Sequence, residues 1–344
     1  MPSGDRGRRD ADGLRGRPRA QAAAAGPGGR RALHARRVTA GAAIERRLAY
    51  VEPLDGAGLI AFLGARAVPG VEEQTEDVYR RSLRLPCGPG TVELRPRRGH
   101  VAATFRLADA DDLALADSLC RALLDLDHDP REVTGALGGD PLLGELVRAT
   151  PGRRVPGHVD GPELAVRAVL GQQVSVAGAT TLAGRLVSAH GEPLERPLGR
   201  VTHLFPSPRA LSEAETGGWA MPRTRRRALQ ALASALNGGE LRLNPGAEIE
   251  RARRILLALP GIGPWTASYV AMRALGDRDA FLPADHGVRR GLERLGLDGS
   301  PRAAERTAEA WRPWRAYAVQ YLWSLPPDPV RPALKPTPRR EVMP

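Results

Sequence analysis

The stretch Phe281-Leu282-Pro283-Ala284-Asp285-His286 has the plainest chemical potential in the chain. Pro283 ends the preceding segment, and Asp285 stands where a new helix begins. A carboxylate there caps the helix, a role Asp fills well, or is a fixed anion facing a substrate. The two roles are compatible. His286 beside it adds a titratable ring, most simply a surface or hydrogen-bonded histidine. Upstream lies Leu259-Pro260-Gly261-Ile262-Gly263-Pro264-Trp265-Thr266-Ala267. Glycines at such a corner allow a left-handed backbone and close approach to another molecule. Pro264 suits the first helical position, and the free N–H groups at the helix start suit an anion such as a phosphate. A tight corner between two helices, with no ligand, accounts for the same residues.

The aromatic residues point to the same region. Of the fourteen Phe, Trp and Tyr residues, eight fall between Trp265 and Trp323. Trp265, Tyr269 and Met272 share one helical face. Trp311, Trp314, Tyr317, Ala318 and Tyr321 form a stripe at 3–4 spacing, which reads as core. Trp323 lies off that stripe, so it packs on a neighbouring domain or lines a pocket.

The elements that position these residues can be read from periodicity. Residues 1–44 are rich in Gly, Arg and Ala, with almost no large apolar side chain, and are expected to be a disordered arm. The same composition would also fit a start codon assigned too far upstream. Folding is expected to begin near Leu48. Residues 56–67 read as a short helix. Strand patterns follow at 79–85, 91–95 and 101–107, split by the turn signals Cys87-Gly88-Pro89-Gly90 and Arg97-Arg98-Gly99. Val92 and Leu94 alternate with Glu93 and Arg95, as in a sheet with one wet face. Residues 112–126 are helical, so 45–133 form a small α+β domain. From Pro141 onward the spacing is helical almost throughout, over 162–170, 177–190, 207–215, 222–236, 246–259, 264–275, 285–295 and 301–324. The expected class is α+β: a small N-terminal antiparallel-sheet domain, then a mostly helical domain over 134–325 with a hairpin at 249–275. Residues 326–344 are a Pro-rich, extended tail.

Composition removes several alternatives. Two cysteines, Cys87 and Cys120, cannot make a disulfide framework, a four-Cys zinc site or an iron–sulfur cluster. No run of 18 apolar residues is present, and no secretory signal is legible, so a cytoplasmic protein is expected. The net charge is +12, but residues 1–44 hold ten Arg against three Asp. Much of the basic character therefore lies outside the predicted core and attracts polyanions without specificity. Lys335 is the chain's only lysine.

LPGIGPWTA followed by FLPADH resembles the helix–hairpin–helix DNA glycosylases, and within them the AlkA-type 3-methyladenine glycosylases. Supporting stretches are FLGARAVPGVE (Phe62–Glu72), VRAVLGQQVSVAGA (Val166–Ala179), HLFPSP (His203–Pro208) and WRPWRAYAVQYLW (Trp311–Trp323). The similarity covers roughly residues 46–328. It implies that Asp285 is the catalytic carboxylate, stabilising the positive sugar and orienting water as the N-glycosidic bond breaks. It implies a base pocket of Trp265, Tyr269, Trp323 and Phe62, suited to cationic alkylated bases by stacking and cation–π attraction, with the base flipped out of the duplex. It also implies a monovalent cation, Na or K, held by the main-chain carbonyls of Leu257, Leu259 and Ile262. The amides of Gly261, Gly263 and Thr266 would face the DNA backbone. Two positions depart from the family pattern. His286 stands where the best-known members carry Tyr. Gln173, with Val174 beside it, stands where the type member inserts a Leu wedge.

Relatives that also nick the strand use a lysine in the hairpin's second helix as a Schiff-base nucleophile; here that position is Trp265. The expectation is a monomeric, monofunctional enzyme on damaged double-stranded DNA of the nucleoid. It would excise bases such as 3-methyladenine and 7-methylguanine, with no cofactor for the chemistry. A non-catalytic hairpin module for DNA binding or regulation is the competing reading, since some family members are fused to a regulatory protein.

Overall fold

The computed structural model describes residues 42–326. The expected arm, apart from residues 42–44, and the Pro-rich tail beyond Pro326 lie outside the described residues. The described residues open with a five-stranded antiparallel sheet of order β1-β5-β4-β3-β2, built from β1 (Ala43–Ala49), β2 (Glu72–Thr75), β3 (Val78–Leu85), β4 (Gly88–Arg97) and β5 (His100–Arg106). Helices α1 (Gly56–Gly64) and α2 (Leu113–Leu123) pack on it, burying Leu59, Ile60, Leu63, Leu119 and Leu123 against Tyr79, Leu83, Leu94 and Phe105. Val92 pairs with Phe105 and Leu94 with Ala103, and these four side chains are buried. Both turns contract to two residues, because Leu85 pairs with Gly88 and Arg97 with His100. Gly99, in the Arg98-Gly99 turn, takes the positive φ that a tight hairpin demands, and Gly88, the first paired residue after Pro86-Cys87, has positive φ as well.

Two strands of this sheet were not legible in the sequence, and both are its edges. β1 begins at Ala43, before the expected start near Leu48, and is exposed at most positions. β2 is Glu-Glu-Gln-Thr, with no large apolar residue. An edge strand needs little apolar content.

The helical part comprises α3 (Pro130–Leu137), α4 (Gly144–Ala149), α5 (Gly161–Leu170), α6 (Val176–His190), α7 (Pro208–Glu213), α8 (Arg223–Asn237), α9 (Ile249–Ala258), α10 (Pro264–Ala274), α11 (His286–Arg294), α12 (Pro301–Ala308) and α13 (Arg315–Ser324). A strand pair that was not expected, β6 (Glu192–Leu198) with β7 (Val201–Leu204), fills the gap between the helices expected over 177–190 and 207–215, and β7 packs on β3. The expected helix over 301–324 is broken by a short 3-10 turn at Glu309–Trp311. Pro313 explains the break, since it has no N–H to donate within a helix. Trp311, Tyr317, Ala318 and Tyr321 are buried as the stripe predicts, whereas Trp314 is only partly buried. Trp311 also donates its indole N–H to Asp140 at 3.1 Å. Among the described residues no helix is long and apolar enough to cross a membrane.

Candidate active site

The α9–α10 hairpin forms as its glycines dictate. Gly261 has φ +74, and a Cβ there would lie 3.0 Å from the Ala228 Cβ, so the corner suits glycine twice over. The Ile262 N–H donates to the Leu259 carbonyl at 3.2 Å. Gly263 opens α10, Pro264 follows at its first position, and no side chain caps this helix. Its first N–H groups therefore have neither intrahelical nor side-chain acceptors. By contrast, α5, α6, α11 and α12 are each capped by an Asp or Ser side chain. The Gln172 amide donates to the Gly261 carbonyl and to the Thr266 hydroxyl, both at 3.0 Å, tying the loop 171–175 to the hairpin. Gln173 and Val174 project from that loop, exposed. Gln173 has φ +56, a left-handed backbone that a non-glycine residue adopts at a cost.

Asp285 is the N-cap of α11, and one oxygen, Oδ1, accepts the Val288 N–H at 2.9 Å. Its carboxylate is also clamped between two indoles. Trp323 donates to Oδ1 at 2.7 Å and Trp265 to Oδ2 at 2.9 Å. The cap and the fixed anion are thus one side chain in one rotamer. Gly287 permits the clamp: a Cβ there would stand 2.6 Å from Trp323 Cδ1 and 2.9 Å from its Nε1. Nothing in the sequence marks Gly287, because only the fold brings Trp323 against it.

The clamp sits in an open cleft of about 1080 Å³ that Trp265, Tyr269, Trp323 and Asp285 all line. Trp265 and Tyr269 are stacked at 5.2 Å between centroids and 11° between planes, and Tyr269 meets Trp323 at 6.4 Å. His286, exposed, and the Gln173–Val174 loop also border the cleft. Phe62 is placed differently from the expectation. It stacks behind Trp323 at 6.2 Å and 16°, and lines a separate small cavity instead of the main cleft. Leu257 is exposed at the hairpin and Ile262 buried, with Leu259 between them in exposure.

Two arginines near the cleft were also not anticipated, although each follows an aromatic at i+4 on its helix or just past it, the one available signal. The Arg66 guanidinium lies 3.7 Å from the centroid of Phe62, and the buried Arg273 donates to the Tyr269 hydroxyl at 3.0 Å. Burial holds both guanidiniums below their ordinary pKa. Burial alone would raise the Tyr269 phenol, but the charges of Arg273, Arg66 and Arg167 overturn that and bring it below its usual value.

Beneath the cleft lies a buried ion network. Glu72 and Glu163 share Arg81 at 3.1 and 2.8 Å, and share Arg167 at 3.0 and 2.8 Å. His158 and Tyr79 complete it; Tyr79 donates to Glu72 at 2.5 Å. Glu72, His158 and Glu163 have metal-ligand spacing. Yet every carboxylate oxygen of the pair already faces an N–H or O–H donor. Two guanidiniums occupy the place a cation would take, so the cluster is an ion-pair network.

Known proteins resemble this chain at three levels. A family model described as the AlkA N-terminal domain matches residues 45–160. A Mycobacterium tuberculosis protein described as a probable bifunctional transcriptional activator/DNA repair enzyme AlkA is 47% identical over 287 residues, covering 83% of this chain. This chain spans only 58% of that relative's length. DNA-3-methyladenine glycosylase 2 of Escherichia coli is 36% identical over 281 residues, covering 80% of this chain and 95% of the relative. The solved 3-methyladenine DNA-glycosylase from Archaeoglobus fulgidus shares the fold, with TM-score 0.71 at 23% identity over 81% of this chain and 97% of that one. The chain belongs to the AlkA-type DNA-3-methyladenine glycosylase family.

Proposed function

We propose that this protein is a monofunctional DNA glycosylase that flips alkylated bases, such as 3-methyladenine and 7-methylguanine, out of duplex DNA and hydrolyses the N-glycosidic bond. The observation that carries the reading is the Asp285 carboxylate, clamped by the Trp265 and Trp323 indole N–H groups in an aromatic cleft beside the hairpin. A binding module needs the hairpin alone; it needs neither a clamped carboxylate nor a cleft large enough for a base.

The chemistry follows from that placement. A flipped base lies among Trp265, Tyr269 and Trp323, and its sugar C1′ lies near Asp285. As the C1′–N bond breaks, the bonding pair leaves with the base and positive charge develops on the sugar. A fixed anion at that point stabilises the transition state more than the ground state, as in glycoside hydrolysis. Water adds its oxygen to C1′ and gives up a proton, leaving an abasic site and a free base. Asp285 orients that water. Residues 45–325 contain no lysine, so strand cleavage through a lysine imine has no nucleophile in the fold.

DNA is held by the uncapped start of α10, with the amides of Gly261, Gly263 and Thr266 toward a phosphate. Gln173, with Val174 beside it, fills the gap left by the flipped base. Its left-handed backbone supports that role, because strain of this kind gathers at functional positions. Three neutral carbonyls, those of Leu257, Leu259 and Ile262, would suit a monovalent ion better than a divalent one, which favours carboxylates. When bound, such an ion supplies positive charge near the phosphate; the base chemistry needs no cofactor. The protein acts as a monomer on nucleoid DNA in a bacterial cytoplasm.

Asp285→Asn tests the reading. Base release from methylated duplex DNA is measured for both proteins, with strand breaks scored before and after alkali. Release that requires Asp285, with breaks only after alkali, is expected. DNA binding without release by the wild type would make the chain a binding module.

A further inference from the structure

The loop between α5 and α6 carries the exposed pair Gln173–Val174 at the border of the cleft. Among the described residues neither makes a hydrogen bond of its own. Gln173 nevertheless holds a left-handed backbone at φ +56, a conformation that persists only where its surroundings impose it. The restraint comes from Gln172. Its main-chain carbonyl, in the peptide that leads into Gln173, accepts from the Arg225 guanidinium of α8 at 2.5 Å. Its side-chain nitrogen donates to the Gly261 carbonyl and to the Thr266 hydroxyl, each at 3.0 Å. An amide nitrogen has two hydrogens, and both are used on the hairpin. The opposite orientation of the amide would set its oxygen against the Gly261 carbonyl, two acceptors face to face, so the hydrogen-bond network fixes its direction.

Both acceptors belong to the hairpin corner. The Gly261 carbonyl shares a peptide plane with the Ile262 N–H, which is bound to the Leu259 carbonyl, so Gln172 and Leu259 hold that plane from its two sides. Thr266 is buried in the first turn of α10, the uncapped end that faces a phosphate in the reading above. On the far side of the loop, Ser175 caps α6 through the Gly178 N–H at 3.1 Å. Gln173 and Val174 are therefore the free tip of a loop pinned at 172 and at 175. A side chain entering DNA from an unpinned loop loses conformational freedom as it does so, and pinning the loop beforehand removes that cost.

We infer that Gln172 is a positioning residue: its amide ties the loop that bears Gln173 to the hairpin, so that gripping a phosphate at the start of α10 also places the side chain that fills the gap left by the flipped base. It acts through Gln173 and does not touch the base. The inference rests on the base-excision reading above and joins its two DNA contacts, the phosphate grip and the gap filler, into one unit.

The test compares wild type with Gln172→Met, which nearly keeps the length of the side chain and removes its donor. The readouts are affinity for a lesion-free duplex, affinity for an abasic-site duplex, single-turnover base release from methylated duplex, and a melting curve. Losing two neutral hydrogen bonds predicts about a tenfold to hundredfold fall in abasic-duplex affinity and in release rate. Affinity for the lesion-free duplex, which the hairpin supplies, should hold, as should the melting temperature. Made in a Gln173→Gly background, Gln172→Met should cost little more, because the side chain it positions is already gone. A purely structural residue would lower the melting temperature and both affinities together. That result, unchanged abasic-duplex affinity, or additive losses in the double variant overturns the assignment. Should Gln172→Met not fold, Gln172→Leu carries the same comparison. Binding is read without chemistry, so a wild type that releases no base overturns the base-excision reading, while the abasic-duplex comparison still decides the role of Gln172.

Discussion

Gly287→Ala disturbs the Trp323 half of the clamp on Asp285 without replacing either residue, although its Cβ would also stand 3.2 Å from Asp285 Oδ1. A Cβ at position 287 would lie 2.6 Å from Trp323 Cδ1, well inside van der Waals contact, so the indole must move. Trp323 is the donor to Asp285 Oδ1 at 2.7 Å. A hydrogen bond to a charged group contributes about 1.5–3 kcal/mol, and each ~1.4 kcal/mol is a factor of ten in rate. If the bond serves the transition state, excision should slow by about tenfold to a hundredfold. The fold should not suffer in proportion, because Ala favours a helix over Gly by about 1 kcal/mol and Gly287 lies in the first turn of α11. Affinity for lesion-free duplex should hold, since the hairpin is untouched. The assay is single-turnover base release beside a duplex-binding titration and a melting curve. Trp323→Phe supplies the control: it deletes the same donor and shrinks the ring that meets the new methyl. Gly287→Ala combined with Trp323→Phe should therefore cost little more than either alone. Additive losses, or wild-type rates for Gly287→Ala, would refute the clamp.

Two further outcomes follow. Gln173→Gly relieves the left-handed strain at φ +56 but frees the unfolded chain, two effects of up to about 1 kcal/mol that oppose each other. Its melting temperature should move little while its affinity for an abasic-site duplex falls; unchanged affinity would remove Gln173 from the DNA gap. The buried network should make stability acid-sensitive. Burial alone would raise the carboxyls of Glu72 and Glu163, but Arg167 and Arg81 beside Glu72, and Arg81 and His158 beside Glu163, hold both low. Burial pushes His158 down to about 4 from an ordinary 6.5. His158 is thus neutral when folded and protonates first when unfolded, so its contribution is complete above about 6.5 and is lost as pH falls toward 4. The depressed carboxylates act in the same direction at lower pH. Urea midpoints should fall across this window, and less steeply for His158→Gln; an unaltered slope would mean that His158 is not a source. His128, also pushed down to about 4 by burial, supplies a share that this variant retains.

The site was legible in the sequence wherever one helix carried the information. Trp265 and Tyr269 lie one turn apart on α10, and Asp285 follows a proline at a helix start, so spacing alone brought them forward. Trp323 stood out because it fell off the stripe that buries Trp311, Tyr317 and Tyr321. Contacts between distant segments were not legible. Arg81 reaches Glu163 across 82 positions, and no periodicity marks such a pair. Gly287 gains its meaning from Trp323, which only the packing of α11 and α13 brings beside it. The same limit applies to the fold. β1 and β2 escaped notice because edge strands carry little apolar signal, and the 301–324 helix was overextended because the aromatic stripe kept its period across Pro313.

The two indole donors make Asp285 a rigid anion, and rigidity has a chemical use here. A capping aspartate with one backbone bond can turn its carboxylate toward solvent. This one has Oδ2 bound by α10 and Oδ1 bound by both α11 and α13, so its plane is set by three helices at once. An anion so fixed need not reorganise as charge develops beside it, which is how preorganised electrostatics lowers a barrier. The donors are also the walls of the cleft. Any base that displaces Trp265 or Trp323 therefore weakens the clamp as it enters, and one that fits between them leaves the carboxylate in place. Selection of the base and stabilisation of the sugar cation are in this way coupled through the same two side chains.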